Sequence, residues 1–163
     1  MVAVGASPIE EYGPRWAPPP FERGTDGPRV ILVGVDGSDT SMRAAAYACG
    51  LARRQRCRLV VAYAAPVLSW AWAIPGAAPM LMSTHQEVER ELRAEIRRVA
   101  EEMRIPVCFV SRHGDPYGCL REVAGEVKAD IVVVGASTQA HRFFGSVATR
   151  LVRLARWPIT VVP

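Results

Sequence analysis

The sequence predicts an α/β protein built as a doubly wound, open, five-stranded parallel sheet, strand order 3-2-1-4-5, with helices on both faces. Two observations carry this. Five short runs are apolar and β-branched throughout, as expected of strands buried on both sides. Stretches of 3.6-residue periodicity alternate with them, which is the pattern of parallel strands joined by right-handed helical crossovers.

The chain divides into a tail, residues 1–28, and a body, residues 29–163. The tail holds many of the prolines and glycines, with Pro18-Pro19-Pro20 at its centre, and is expected to be extended or disordered. Trp16 and Phe21 are its candidate anchors on the body or on a partner. Order is expected to begin at Arg29. Val30 to Val35 (VILVGV) forms the first body strand, ending at Asp36-Gly37-Ser38, where Ser38 or Asp39 caps a helix. Ala44, Ala48, Leu51 and Ala52 share one face of that helix, which ends near Arg54.

The second strand is Leu59 to Ala64, stopped by Pro66. Residues 65–82 are apolar but irregular, with Trp70, Trp72, Pro75, Gly76, Pro79, Met80 and Met82. They read either as a loop packed over the core edge or as a flap over a ligand or partner. Ser83 and Gln86 look like a capping box, ahead of a stripe of Val88, Leu92, Ile96, Val99 and Met103. Pro106 precedes a short third strand, Val107 to Val110. Asp115-Pro116 reads as an N-cap followed by a first-turn proline, with Leu120, Val123, Ala124 and Val127 as the buried helix face. Ile131 to Val134, a helix from Gly145 carrying Val147, Leu151 and Leu154, and a last strand Ile159 to Val162 complete the alternation.

Composition narrows the function classes. Half of the 163 residues are hydrophobic, enough for one globular domain. No run approaches the roughly 18 apolar residues of a membrane span. Glu10 and Glu11 stand where a secretory signal needs an apolar run. Cys49, Cys57, Cys108 and Cys119 make no C-x-x-C pair and fall within elements, so packed thiols in a reducing cytoplasm are expected, without zinc. The net charge of +4 comes mostly from arginine, Lys128 being the sole lysine. The arginines are spread over several helices, and no aromatic platform interleaves with them, so no nucleic-acid surface is expected.

In a sheet of this order, ligands sit outside the carboxyl ends of the strands where the winding reverses. Asp36 and Gly135 are expected to meet there. The stretch 131–147 (IVVVGASTQAHRFFGSV) runs from a strand through a polar loop to Gly145-Ser146 at a helix start. That order aims backbone N–H groups and the positive end of the helix dipole at an anion. The plainer reading is a tight turn at Gly135 and an N-cap at Ser146.

VGVDGSDTS after the first strand, Gly114-Asp115-Pro116, and VVVGAS…GSVATRLV…WPITVVP at the end together resemble the universal stress protein family, over about Arg29 to Pro163. The resemblance implies a stress-response regulatory module that binds ATP, with Mg2+ accompanying it, rather than an enzyme; slow incidental hydrolysis is the most it implies. It places adenosine against Val35, Asp36 and the Ala64 backbone. Gly135, Gly145 and Ser146 would face the phosphates, with the Val147 amide beside them; Val134 and Thr138 are further candidate nucleotide-binding residues, and Arg142 and His141 are candidates to supply charge there. It also implies a homodimer paired through the last strand. The chain departs from the family's ATP pattern of G-x-x-G, nine residues, then G-S/T. Thr138 replaces the second glycine, and the loop to Gly145 is about three residues shorter. The alternative is therefore a dimeric protein-interaction module of the same family that binds no nucleotide.

Other chemistries fit less well. A pyrophosphatase loop would need glycines that VDGSDTS lacks. A phosphoacceptor domain would need a second acid beside Asp36 and a late lysine. His85, His113 and His141 are too dispersed in sequence to suggest a catalytic set.

Overall fold

The computed structural model describes residues 9–14, 27–65, 77–136 and 147–163. Among these, the elements run β1 (Glu10–Tyr12), β2 (Val30–Val35), α1 (Asp39–Gln55), β3 (Arg58–Ala65), α2 (Ala77–Met103), β4 (Val107–His113), α3 (Pro116–Glu126), β5 (Ile131–Gly135), α4 (Val147–Leu154) and β6 (Ile159–Val162). The sheet order is β1-β4-β3-β2-β5-β6. The five body strands pair in parallel in the predicted 3-2-1-4-5 arrangement. Their residues alternate between two cores. Ile31, Val33, Val61 and Phe109 pack under α1 and α2. Leu32, Val60, Val110 and Val132 pack under α3 and α4. Burial on both faces is why the strands read as unbroken apolar runs.

The sheet is six-stranded and mixed, which corrects the five-stranded parallel expectation. Glu10–Tyr12, expected to lie in an unstructured tail, pair antiparallel with β4. Two glutamates in a three-residue strand give no apolar signal; their partners are arginines remote in sequence. Arg93 donates through Nη2 and Nε to the Glu10 carboxylate at 2.7 Å. Arg58 Nη2 donates to Glu11 Oε1 at 2.6 Å. The Arg97 guanidinium lies 5.2 Å from the Tyr12 ring centroid, within cation–π reach. Gly13 then turns the chain at φ +82°, where a Cβ would lie 2.2 Å from the Ile105 carbonyl oxygen. Only glycine fits there.

Helix boundaries follow recognisable chemistry, with one correction. Ser38 caps α1 and Asp115 caps α3, each side chain accepting from an N–H three residues on. α2 starts at Ala77, six residues before the expected capping box. Ser83 and Thr84 are interior, and both hydroxyls donate to the Met80 carbonyl. Pro79 is tolerated because first-turn N–H groups have no intrahelical acceptor. Residues 77–82 of the stretch expected to be irregular are therefore helical; Trp70, Trp72, Pro75 and Gly76 lie outside the described residues. Left-handed non-glycine residues, Arg56, Arg104, Lys128 and Ala155, follow the four helices. After α1, α2 and α3 the next residue (Cys57, Ile105, Ala129) donates back to Ala52, Ala100 and Ala124 and is itself buried.

At the foot of the sheet, Asp130 Oδ2 accepts from Arg29 N and Val30 N, fixing the start of β2 beside β5. The four cysteines are free and buried. Among the described residues no helix is long and apolar enough to cross a membrane.

The hydrogen bonds from Arg93 hold the Glu10 carboxyl below its ordinary value of 4.5, against the opposing effect of burial. A carboxyl depressed on folding contributes stability above its unfolded pKa and loses it as pH falls through the folded one. β1 amide hydrogen exchange is thus expected to be unchanged from pH 7 to about 5 and to accelerate, relative to the intrinsic rate, below about 4.5. Arg93→Ala is expected to speed it about fivefold at pH 7, the effect of a half-exposed pair worth ~1 kcal/mol. Equal protection in wild type and variant would show that Arg93 does not hold the strand.

Candidate functional site

The crevice lies where the winding reverses, at the carboxyl ends of adjacent β2 and β5. α1 leaves β2 over one face of the sheet, and the chain after β5 returns as α4 on the other. Val35 and Val134 are buried strand-end residues here. Asp36 follows β2, Gly135 closes β5, and Ala64 sits near the end of β3, on the other side of β2. The structure brings these five sequence-predicted residues to one end of the sheet. Val147 is the first residue of α4, packed against the second core. Thr138, Arg142, Gly145 and Ser146, like His141, lie outside the described residues.

Asp36 lies two residues ahead of the N-cap of α1 and is tied to that cap and to the first turn by hydrogen bonds. Its Oδ1 accepts from Ser38 N at 2.9 Å, and its own N–H donates to Ser41 Oγ at 3.3 Å. Ser41 Oγ in turn donates to the Ser38 carbonyl at 2.9 Å. Partial burial would raise the carboxyl's pKa, but the hydrogen bonds from Ser38 and Ser41 outweigh it and hold the group below 3.8. Asp36 is an anion near neutrality. It is thus an acceptor for a hydroxyl or amine and a poor base.

Gly135 has a role different from the expected turn. A Cβ there would lie 2.6 Å from the Thr40 carbonyl carbon and 2.8 Å from Ser41 N. The end of β5 therefore touches the backbone of the first turn of α1, and the two predicted turns meet in direct contact. That packing alone excludes a side chain.

Sequence reasoning missed the wall supplied by α2. Val88 reaches the Gly37 turn, 3.4 Å from where a Cβ would stand. His85 Nδ1 lies 3.2 Å from the Tyr63 hydroxyl at the end of β3. Burial raises the Tyr63 pKa, and the Glu89 and Asp36 charges add to it. In neighbouring β4, the buried Ser111 hydroxyl has no hydrogen-bond partner among the described residues. Tyr63 and His85 stand 22 residues apart on elements of different period, so no local motif announces them. Among the described residues no group of three His, Cys, Asp or Glu side chains is placed to hold a metal.

Gly135→Ala is expected to cost about 1–3 kcal/mol, because the neighbouring atoms are backbone and cannot yield as a side chain would. Gly125→Ala in α3, where nothing stands within 4 Å, is expected to be neutral or stabilising by up to about 1 kcal/mol. Urea denaturation of both variants checks the contrast. Equal effects would mean the close approach at Gly135 carries no constraint.

Comparison with known proteins follows this geometry. The family model described as "Universal stress protein family" matches residues 28–163. The chain is 32% identical over 148 residues to universal stress protein Rv1636 of Mycobacterium tuberculosis, covering 82% of this chain and 95% of the relative. It is 28% identical over 139 residues to universal stress protein MJ0531 of Methanocaldococcus jannaschii, covering 82% and 81%. Among solved structures, a universal stress protein in complex with cAMP superposes with a TM-score of 0.60 at 28% identity, over 83% of this chain and 96% of that one. UspA from Lactobacillus plantarum gives a TM-score of 0.66 at 23% identity, over 82% and 97%, a likeness of fold.

Proposed function

The chain belongs to the universal stress protein family, and from that premise we propose that it holds an adenine nucleotide at the β2/β5 crevice, as a binding module rather than an enzyme. The observation that carries this reading is the ionised Asp36, held at the strand reversal by Ser38 and Ser41. Such a carboxylate accepts hydrogen bonds from ribose hydroxyls and repels phosphate, so it orients a nucleotide with its sugar towards β2. The Ala64 backbone would face the base. Phosphate would lie towards Gly145, Ser146 and the Val147 N–H at the start of α4, with the Arg142 charge beside it. Gly135 would border that space, with Thr138 in the loop that follows. The likeness to a cAMP complex at 28% identity supports the ligand class.

The same residues speak against catalysis. A carboxyl held below 3.8 is poorly matched to taking a proton near neutral pH, so at most slow incidental ATP hydrolysis is expected. In sequence the stretch between Thr138 and Gly145 is about three residues shorter than the family's ATP pattern, so it brings fewer amides. One phosphate suits it better than three, and ATP with Mg2+ would bind more weakly than a monophosphate. Buried free thiols suit a reducing compartment such as the cytoplasm.

Calorimetry on nucleotide-stripped protein is expected to give cAMP and AMP affinities at or above that of ATP. Asp36→Ala is expected to weaken all three about tenfold, the loss of a charge-assisted hydrogen bond. No heat at millimolar nucleotide from a folded sample would sink the reading and favour the interaction module.

We also propose a homodimer paired along β6. This outer strand borders solvent with Val161 45% exposed, and Val152 of neighbouring α4 is 55% exposed. Val161→Arg is expected to shift the light-scattering mass from dimer to monomer while the circular dichroism stays unchanged. A wild-type monomer at high concentration would overturn it.

A further inference from the structure

On the α1/α2 face a cavity of about 370 Å³ opens between the two helices, sharing Val35 with the edge of the crevice. Its floor is Val35, Leu59 and Val61, and Leu92, Ile96 and Val99 of α2 form one wall. The size falls in the range of small-molecule pockets, which are lined mostly by apolar side chains with a few polar groups that orient the guest. The mouth, by contrast, is charged. Arg53 reaches across to donate to Met103 Sδ at 3.8 Å. The Arg54 guanidinium folds back over Gly50, 3.2 Å from where a Cβ would stand. Neither arginine has a carboxylate partner among the described residues. Glu95, also at the rim, is engaged by Arg98 through two hydrogen bonds. The site thus pairs an apolar interior with two fork-shaped cations that have no carboxylate partner among the described residues.

We infer that this cavity binds a free medium-chain fatty acid, its aliphatic tail between α1 and α2 and its carboxylate on Arg53 and Arg54. Guanidinium forks match a carboxylate's two oxygens, and the walls offer nothing to a polar tail. The inference does not rest on the nucleotide reading: Val35 borders both sites, but Arg53 and Arg54 stand in the last turn of α1, at the opposite end of that helix from Asp36.

Calorimetry of the full chain with decanoate tests it, with decanol as the uncharged control. Decanoate is expected to bind at one site, about tenfold tighter than decanol, the worth of a charge-assisted pair at a partly exposed mouth. The double variant Arg53→Gln/Arg54→Gln is expected to bring decanoate down to the level of decanol. Ala45→Phe, which fills the cavity from α1, is expected to abolish both, with circular dichroism confirming the fold. Equal affinity for decanoate and decanol would overturn the assignment, as would decanoate binding that survives both variants. So would binding that emerges only after Trp16→Ala/Phe21→Ala, because the chain itself would then be the occupant.

Discussion

Where the winding reverses, the Gly135 backbone lies against the Thr40–Ser41 peptide, closer than any side chain would allow. This contact fixes the end of β5 on the start of α1, and much of the site follows from it. Ser41 is held where its hydroxyl serves both the Ser38 carbonyl and the Asp36 N–H. Asp36, tied into that turn, is kept ionised at the mouth of the crevice. A parallel sheet wound both ways must leave a gap where successive helices depart to opposite faces. In this chain the close contact sets its width.

The two edges of the sheet are treated differently. β1 covers the edge that β4 would otherwise present, and it is held there by its ion pairs together with Tyr12, which packs against the first core. A three-residue strand with two carboxylates cannot pair stably by itself. It does so because Arg58, Arg93 and Arg97 already stand on β3 and α2, where they meet Glu11, Glu10 and Tyr12. The opposite edge, β6, is left with Val161 facing solvent. Unpaired strand edges are what proteins cover, charge or use for assembly, and among the described residues β1 covers one of the two.

The arginine-rich composition also acquires a structure. Arg93, Arg58 and Arg98 are paired with carboxylates, and Arg150 joins Asp115 while lying 3.9 Å from the Tyr117 ring centroid. Arg53 and Arg54 are placed at the end of α1, where cations offset the helix dipole. Their position over an apolar cavity is a consequence of how α1 and α2 straddle the sheet. Nothing in their local sequence specifies it.

The sequence by itself determined the elements whose signal is local. Continuous apolar runs defined the five parallel strands, Asp115 declared its cap while the first cap was narrowed to Ser38 or Asp39, and strand order placed Asp36 and Gly135 at one reversal. Those features depend on neighbours within a turn or two of chain. The tertiary structure decided whatever depends on partners far along it. It converted Glu10–Tyr12 from tail to strand through arginines more than 45 residues away, and it carried the start of α2 back to Ala77, ahead of a capping-box pattern that went unused. It also set Tyr63 against His85, and it gave Gly135 a packing reason where sequence offered a tight turn or a phosphate-facing backbone. The physical cause is common to all of these: propensity and periodicity report a residue's preference for its own backbone and for solvent, whereas ion pairs, close backbone contacts and cavities arise only when separate elements are brought together.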